Sequence, residues 1–119
     1  MKFSGLQKIS LIDYPDKVAS VLFTPGCNLR CGFCHNWRIV VDPKPPFLHE
    51  AQALEILEKR KRYVDAVVVT GGEPCMHKEL PKFLAKLKDA DSWSRSAHSS
   101  PACWGLSPGS AAAWCSSRC

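Results

Sequence analysis

Val18-Ala19-Ser20-Val21-Leu22-Phe23-Thr24, closed by Pro25-Gly26, is the stretch from which the fold of this chain is read. Apolar and β-branched residues follow one another without a polar face, as expected of a buried strand. A second such run, Ala66-Val67-Val68-Val69-Thr70, is stopped by Gly71-Gly72, and its short continuous apolar character suits a parallel strand covered on both sides. Between them, from about Phe47 to Tyr63, Leu48, Ala51, Leu54 and Leu57 recur at helical spacing. Glu50, Glu55 and Glu58 precede the basic run Lys59-Arg60-Lys61-Arg62, a charge order that favours the helix dipole. A second amphipathic helix is expected from about Glu79, with Pro81 in its first turn and Leu80, Phe83, Leu84 and Leu87 on one side. Strand, long loop, helix, strand, helix is a β-α-β-α order with a right-handed crossover between parallel strands. Chemistry in such folds collects beyond the C-terminal ends of the strands.

Outward from these elements, composition sets the class. The 119 residues are 45% hydrophobic and 23% charged, which suits one modest soluble core. No run approaches the roughly 18 apolar residues of a membrane span, and Met1-Lys2-Phe3-Ser4-Gly5 leads into no signal-peptide core. A cytoplasmic, reducing location is therefore expected, where the seven cysteines are more readily metal ligands than disulfides. The net charge of +5 is spread along the chain apart from residues 59–62, which read as a solvated helix end, so neither a nucleic-acid nor a membrane partner is expected. Composition breaks near Ala90. From Asp91 to Cys119 there is no Val, Ile, Lys or Glu, while nine Ser, three Trp and three Cys are crowded together. With no periodic apolar face to bury, irregular or disordered coil is the expectation there, with a shifted reading frame or artificial terminus as its source. The division expected is thus 1–89 as a truncated core and 90–119 as tail.

Cys27-x-x-x-Cys31-x-x-Cys34 places three thiols on a loop that Pro25, Gly26 and Gly32 allow to curl just past the first strand. Thiolates are soft ligands that favour iron-sulfur clusters or zinc. A four-iron cluster normally takes four cysteines, so three leave one iron open to a substrate. The competing reading is a zinc site completed by His35 or Cys75, in a fragment that binds metal without catalysis.

Cys27-x-x-x-Cys31-x-Phe33-Cys34 resembles the signature of the radical S-adenosylmethionine enzymes, including the aromatic residue before the third cysteine. The resemblance implies that Cys27, Cys31 and Cys34 bind a 4Fe-4S cluster whose open iron is chelated by the methionine part of S-adenosylmethionine. Gly71-Gly72-Glu73-Pro74, directly after the second strand, is similar to the GGEP segment with which that family binds the methionine amino group. Physically, the glycines let backbone approach closely, and a carboxylate can accept from an ammonium. The same resemblance implies that Phe33 packs near the adenine. Asn36 is a further candidate cofactor contact, and it could equally bond the backbone around the loop.

A narrower likeness is carried by Cys34-His35-Asn36 with residues 5–15, Gly5-Leu6-Gln7-Lys8-Ile9-Ser10-Leu11-Ile12-Asp13-Tyr14-Pro15. These resemble the glycyl-radical-enzyme activating proteins, particularly that of anaerobic ribonucleoside-triphosphate reductase. The family usually follows Asp-Tyr-Pro with Gly, where this chain has Asp16. Ser10, Asp13 and Tyr14 are expected to cap and pack the turn before the first strand.

What the resemblance implies is reductive cleavage of S-adenosylmethionine to methionine and a 5'-deoxyadenosyl radical, which takes a hydrogen atom from a glycine of a partner glycyl radical enzyme. An external donor such as flavodoxin or ferredoxin would supply the electron. The fold implied is the N-terminal β-α-β-α portion of a partial (β/α)6 radical-SAM barrel followed by an irregular tail. The likeness covers about residues 3–89, so most of the walls that shield a radical are expected to be missing and activity impaired.

Overall fold

A computed structural model describes residues 1–14, 16–32, 34–89 and 96–98. In chain order the elements are β1 (Lys2–Phe3), β2 (Gly5–Ser10), β3 (Ala19–Thr24), α1 (Trp37–Val41), β4 (Leu48–His49), α2 (Glu50–Arg60), β5 (Ala66–Gly71), α3 (Leu80–Asp89) and β6 (Ser96–His98). A 3-10 turn, Pro74–Met76, joins β5 to α3. The main sheet runs β2-β3-β5-β6. β3, β5 and β6 are parallel, and β2 lies antiparallel against β3.

The two apolar runs become the central strands because each is covered on both faces. Leu22, Val67 and Val69 point to the helices, where they meet Ala53 and Leu57 of α2 and Leu80, Phe83 and Leu87 of α3. Ala19, Val21, Ala66 and Val68 line the opposite face with Tyr14. This period-two split is what β geometry requires of an unbroken apolar run. Phe3 of β1 fills the helix side, its ring 5.1 Å from that of Phe83 at 54°.

α2 begins later than its periodicity suggests. Leu48 and His49 are taken by pairing with Phe3 and Lys2, and the helix starts at Glu50 with Gln52 accepting from the His49 amide at 3.1 Å. Its inward residues are Ala53 and Leu57, with Leu54 half-buried, whereas Ala51, expected on that face, is exposed. The basic run ends the helix as expected: Lys59 pairs with Glu55 and Lys61 with Glu58, while Arg60 donates to the Lys8 carbonyl. At the other end Glu50 joins α2 to α3 by accepting from Lys86 and from the Met1 ammonium. The Lys86 hydrogen bond, with the Met1 ammonium adding to it against the opposing effect of burial, holds the Glu50 carboxyl below its ordinary range.

β1, β2, α1 and β6 lie where no element was read. β2 is an edge strand whose middle residues Gln7, Lys8 and Ile9 are exposed. β6 falls within the segment expected to be irregular, and there Ser96, Ala97 and His98 pair in parallel with Val67, Val68 and Val69. The rest of the tail, 90–95 and 99–119, lies outside the described residues. Among the described residues no helix is long and apolar enough to cross a membrane.

The turn between β2 and β3 is capped as expected. Ser10 donates to the Asp13 carboxylate and accepts from the amides of Ile12 and Asp13, and Tyr14 is buried. Asp16, where the resemblance leads one to expect glycine, has φ +58°. That left-handed conformation crowds the Cβ of an L-residue. Asp16→Gly is therefore expected to raise stability by about 0.5 kcal/mol, the relieved strain exceeding the extra freedom of the unfolded glycine. Urea unfolding followed by circular dichroism measures it, and a lower midpoint for the variant would refute the strain argument.

Candidate cofactor site

β3 and β5 end side by side, with Thr24 opposite Gly71 in the parallel register. The chain beyond β3 is the cysteine loop, and that beyond β5 is Gly72-Glu73-Pro74. The structure thus brings the two motifs to the same end of the sheet, where the strand order leads one to expect chemistry. Backbone bonds join them directly. The Gly72 amide donates to the Thr24 carbonyl at 2.9 Å, and the Glu73 amide donates to the Gly26 carbonyl at 3.1 Å.

This approach is possible only without side chains. A Cβ on Gly71, whose φ is +108°, would lie 2.5 Å from the Thr24 nitrogen. On Gly72 it would lie 1.7 Å from the Gly26 oxygen. Both glycines are therefore required by contact with backbone that cannot step aside. Glu73 is 4% exposed, and its Oε1 accepts from the Cys75 amide at 2.9 Å, so the carboxylate caps the 3-10 turn that Pro74 opens.

Further bonds hold the root of the cysteine loop. The Gly26 amide donates to the Ile39 carbonyl of α1 at 3.1 Å. Asn36 Nδ2 reaches the Gly71 carbonyl at 3.3 Å, so this residue binds the glycine segment rather than the cysteine loop itself. His77 Nε2 lies 3.1 Å from the Pro25 carbonyl. Thr24 Oγ1 donates to the Thr70 carbonyl at 3.0 Å, locking the two strand ends. Sequence reading missed Thr24 and His77, because a lone hydroxyl or imidazole carries no motif and both bonds join residues about fifty positions apart.

The thiols of Cys27, Cys31 and Cys34 are free and half-buried. Within the loop, the Cys34 amide donates to the Cys31 carbonyl, and Arg30 Nη1 donates to the carbonyls of Cys27 and Leu29. Cys27 Sγ accepts from the Leu29 amide at 3.3 Å. Among the described residues no three His, Cys, Asp or Glu side chains converge at metal-holding spacing. The donor set nevertheless fits a soft metal: three free thiols on one loop, with His35 exposed, whereas Cys75, against the expectation that the cysteines favour metal over disulfides, is disulfide-bonded and packs against the helix-side core. Phe33 lies outside the described residues.

Comparison with known proteins gives this geometry its family. Residues 21–105 match the model of the Radical SAM superfamily, and the chain belongs to it. It is 36% identical over 85 residues to a Methanocaldococcus jannaschii protein provisionally named as a glycyl-radical enzyme activating enzyme, an alignment covering 70% of this chain and 33% of that one. It is 37% identical over 93 residues to the pyruvate formate-lyase-activating enzyme of Staphylococcus aureus, covering 71% and 36% respectively. The chain thus spans about a third of the length of these curated relatives. In three dimensions it resembles the crystal structure of QueE from Escherichia coli, with a TM-score of 0.57 at 20% identity over 82% of this chain and 51% of that one. The fold is accordingly a partial radical-SAM α/β fold. The family implies a 4Fe-4S cluster and S-adenosylmethionine as its cofactors.

Proposed function

We propose that this chain is the cluster-bearing N-terminal portion of a glycyl-radical-enzyme activating protein, with Cys27, Cys31 and Cys34 as the cluster ligands and residues 1–89 as the segment that carries the cofactor motifs. The observation supporting this reading is the direct docking of Gly72 and Glu73 on Thr24 and Gly26, which makes the two motifs one unit. Gly71, Gly72, Glu73 and Pro74, with Asn36 behind them and Phe33 on the loop, would hold S-adenosylmethionine. Cys27, Cys31 and Cys34 would hold the cluster, which would supply the electron for reductive cleavage of this cofactor. The protein's part is positional. The glycines let the cofactor segment dock on the root of the cysteine loop, the buried Glu73 carboxylate would accept from an ammonium, and the rooted loop sets where the thiolates stand. Three cysteines on one loop, with no fourth in that loop, suit an open iron better than a closed zinc site.

The partner would be a glycyl radical enzyme, with anaerobic ribonucleoside-triphosphate reductase suggested by residues 5–15 and Cys34-His35-Asn36, and a flavodoxin or ferredoxin would supply the electron. The described residues provide three parallel strands, fewer than a (β/α)6 barrel uses to exclude solvent from a radical. Cluster loading and cofactor binding are therefore expected of this chain, and glycyl radical formation is expected to be weak.

Anaerobic reconstitution with iron and sulfide tests the reading. A brown protein with about four irons per chain is expected, whose reduced electron paramagnetic resonance spectrum changes on adding S-adenosylmethionine. A colourless, zinc-loaded protein would instead establish the metal-binding fragment.

A further inference from the structure

His77 stands outside both motifs, yet it is fixed between them. Its amide donates to the Pro74 carbonyl at 3.1 Å, closing the 3-10 turn, and its carbonyl accepts from the Leu80 amide at 3.0 Å at the head of α3. Leu80 is itself buried in the helix-side core. The half-buried imidazole reaches back 52 positions to the Pro25 carbonyl. A carbonyl can only accept, so Nε2 carries the proton in this contact. Pro25 has no amide of its own to anchor it, and its neighbour Gly26 sits at φ +75° immediately before Cys27. Asn36 makes the converse bond, from the cysteine side to the Gly71 carbonyl.

We propose that His77 is a positioning residue: by donating to the Pro25 carbonyl it ties the root of the cysteine loop to the core-anchored turn behind Glu73, and with Asn36 forms a reciprocal latch that fixes the separation of the cluster ligands from the cofactor segment. The latch is formed by the chain's own residues alone. Its consequence for cofactor binding rests on the proposed function.

The full chain with His77→Ala and His77→Gln tests both levels. In the metal-free protein, amide hydrogen exchange at Gly26 and Glu73 is expected to accelerate about tenfold in His77→Ala while the β5 amides Val67 to Val69 are unchanged. Gln carries an amide donor near the Nε2 position and is expected to restore protection to within about threefold of wild type. Exchange in His77→Ala within twofold of wild type would overturn the latch, and so would failure of Gln to restore protection with β5 intact. In the iron-loaded protein, the S-adenosylmethionine concentration that half-converts the resonance spectrum should rise about tenfold for Ala and recover for Gln. An unchanged concentration in His77→Ala would overturn the positioning role. Should wild type itself load no cluster, the proposed function fails while the exchange measurement still decides the latch.

Discussion

Gly72→Ala is expected to destabilise the fold by about 3 kcal/mol or more, through two backbone segments that cannot both accommodate one added methyl. The new Cβ would lie 1.7 Å from the Gly26 oxygen and 2.7 Å from its carbonyl carbon. Neither atom belongs to a flexible side chain, so residues 24–26 and 71–73 must separate. Separation breaks the bonds from Gly72 to Thr24 and from Glu73 to Gly26, each worth about 1 kcal/mol net, and strain adds to that. Gly32→Ala in the cysteine loop is the control, because nothing lies within 4 Å of its added Cβ, and its effect should stay within about 0.5 kcal/mol. Urea unfolding of both variants gives the comparison. A Gly72→Ala midpoint matching that of Gly32→Ala would mean that the docking of the two motifs is not as described.

The same contacts show why part of this molecule is legible in its sequence and part is not. β3 and β5 are central strands, so burial on both faces forces continuous apolar runs, and Pro25-Gly26 and Gly71-Gly72 mark their ends. α3 is legible for a related reason: Leu80, Phe83 and Leu87 face one core at helical spacing. β2 is not, since an edge strand may keep polar residues, and its Ile9 is 51% exposed. β1 and β4 are two residues each and exist only through pairing with one another. α2 is legible through Leu54 and Leu57, which pack on the core as expected, but Ala51 is exposed, because small alanines at 51 and 53 fit either side and only packing selects Ala53. In the site, both motifs are local strings and were readable. The clasp between them is not a string. Asn36 to Gly71 and His77 to Pro25 are long-range bonds to carbonyls, and a carbonyl carries no residue identity.

Cys31→Ala should remove the iron almost entirely while leaving the metal-free fold intact, which separates ligand loss from structural damage. The Cys31 thiol is half-buried on a loop, and the backbone bond in which its carbonyl accepts from the Cys34 amide is kept by alanine. Unfolding of the metal-free variant is therefore expected within about 0.5 kcal/mol of wild type. Iron content after reconstitution should fall from about four per chain to near zero, since two thiolates cannot replace the three that the open-iron arrangement already reduces from the usual four. Cys27→Ala and Cys34→Ala should behave alike, whereas Cys103, Cys115 and Cys119 should each be replaceable without loss of colour. Iron retained by Cys31→Ala, or lost on changing a tail cysteine, would move the ligand set elsewhere. Gly72→Ala provides the contrast that makes the result interpretable. It keeps every thiol and is expected to lose both stability and iron, because a ligand loop can gather a cluster only where the fold holds its root.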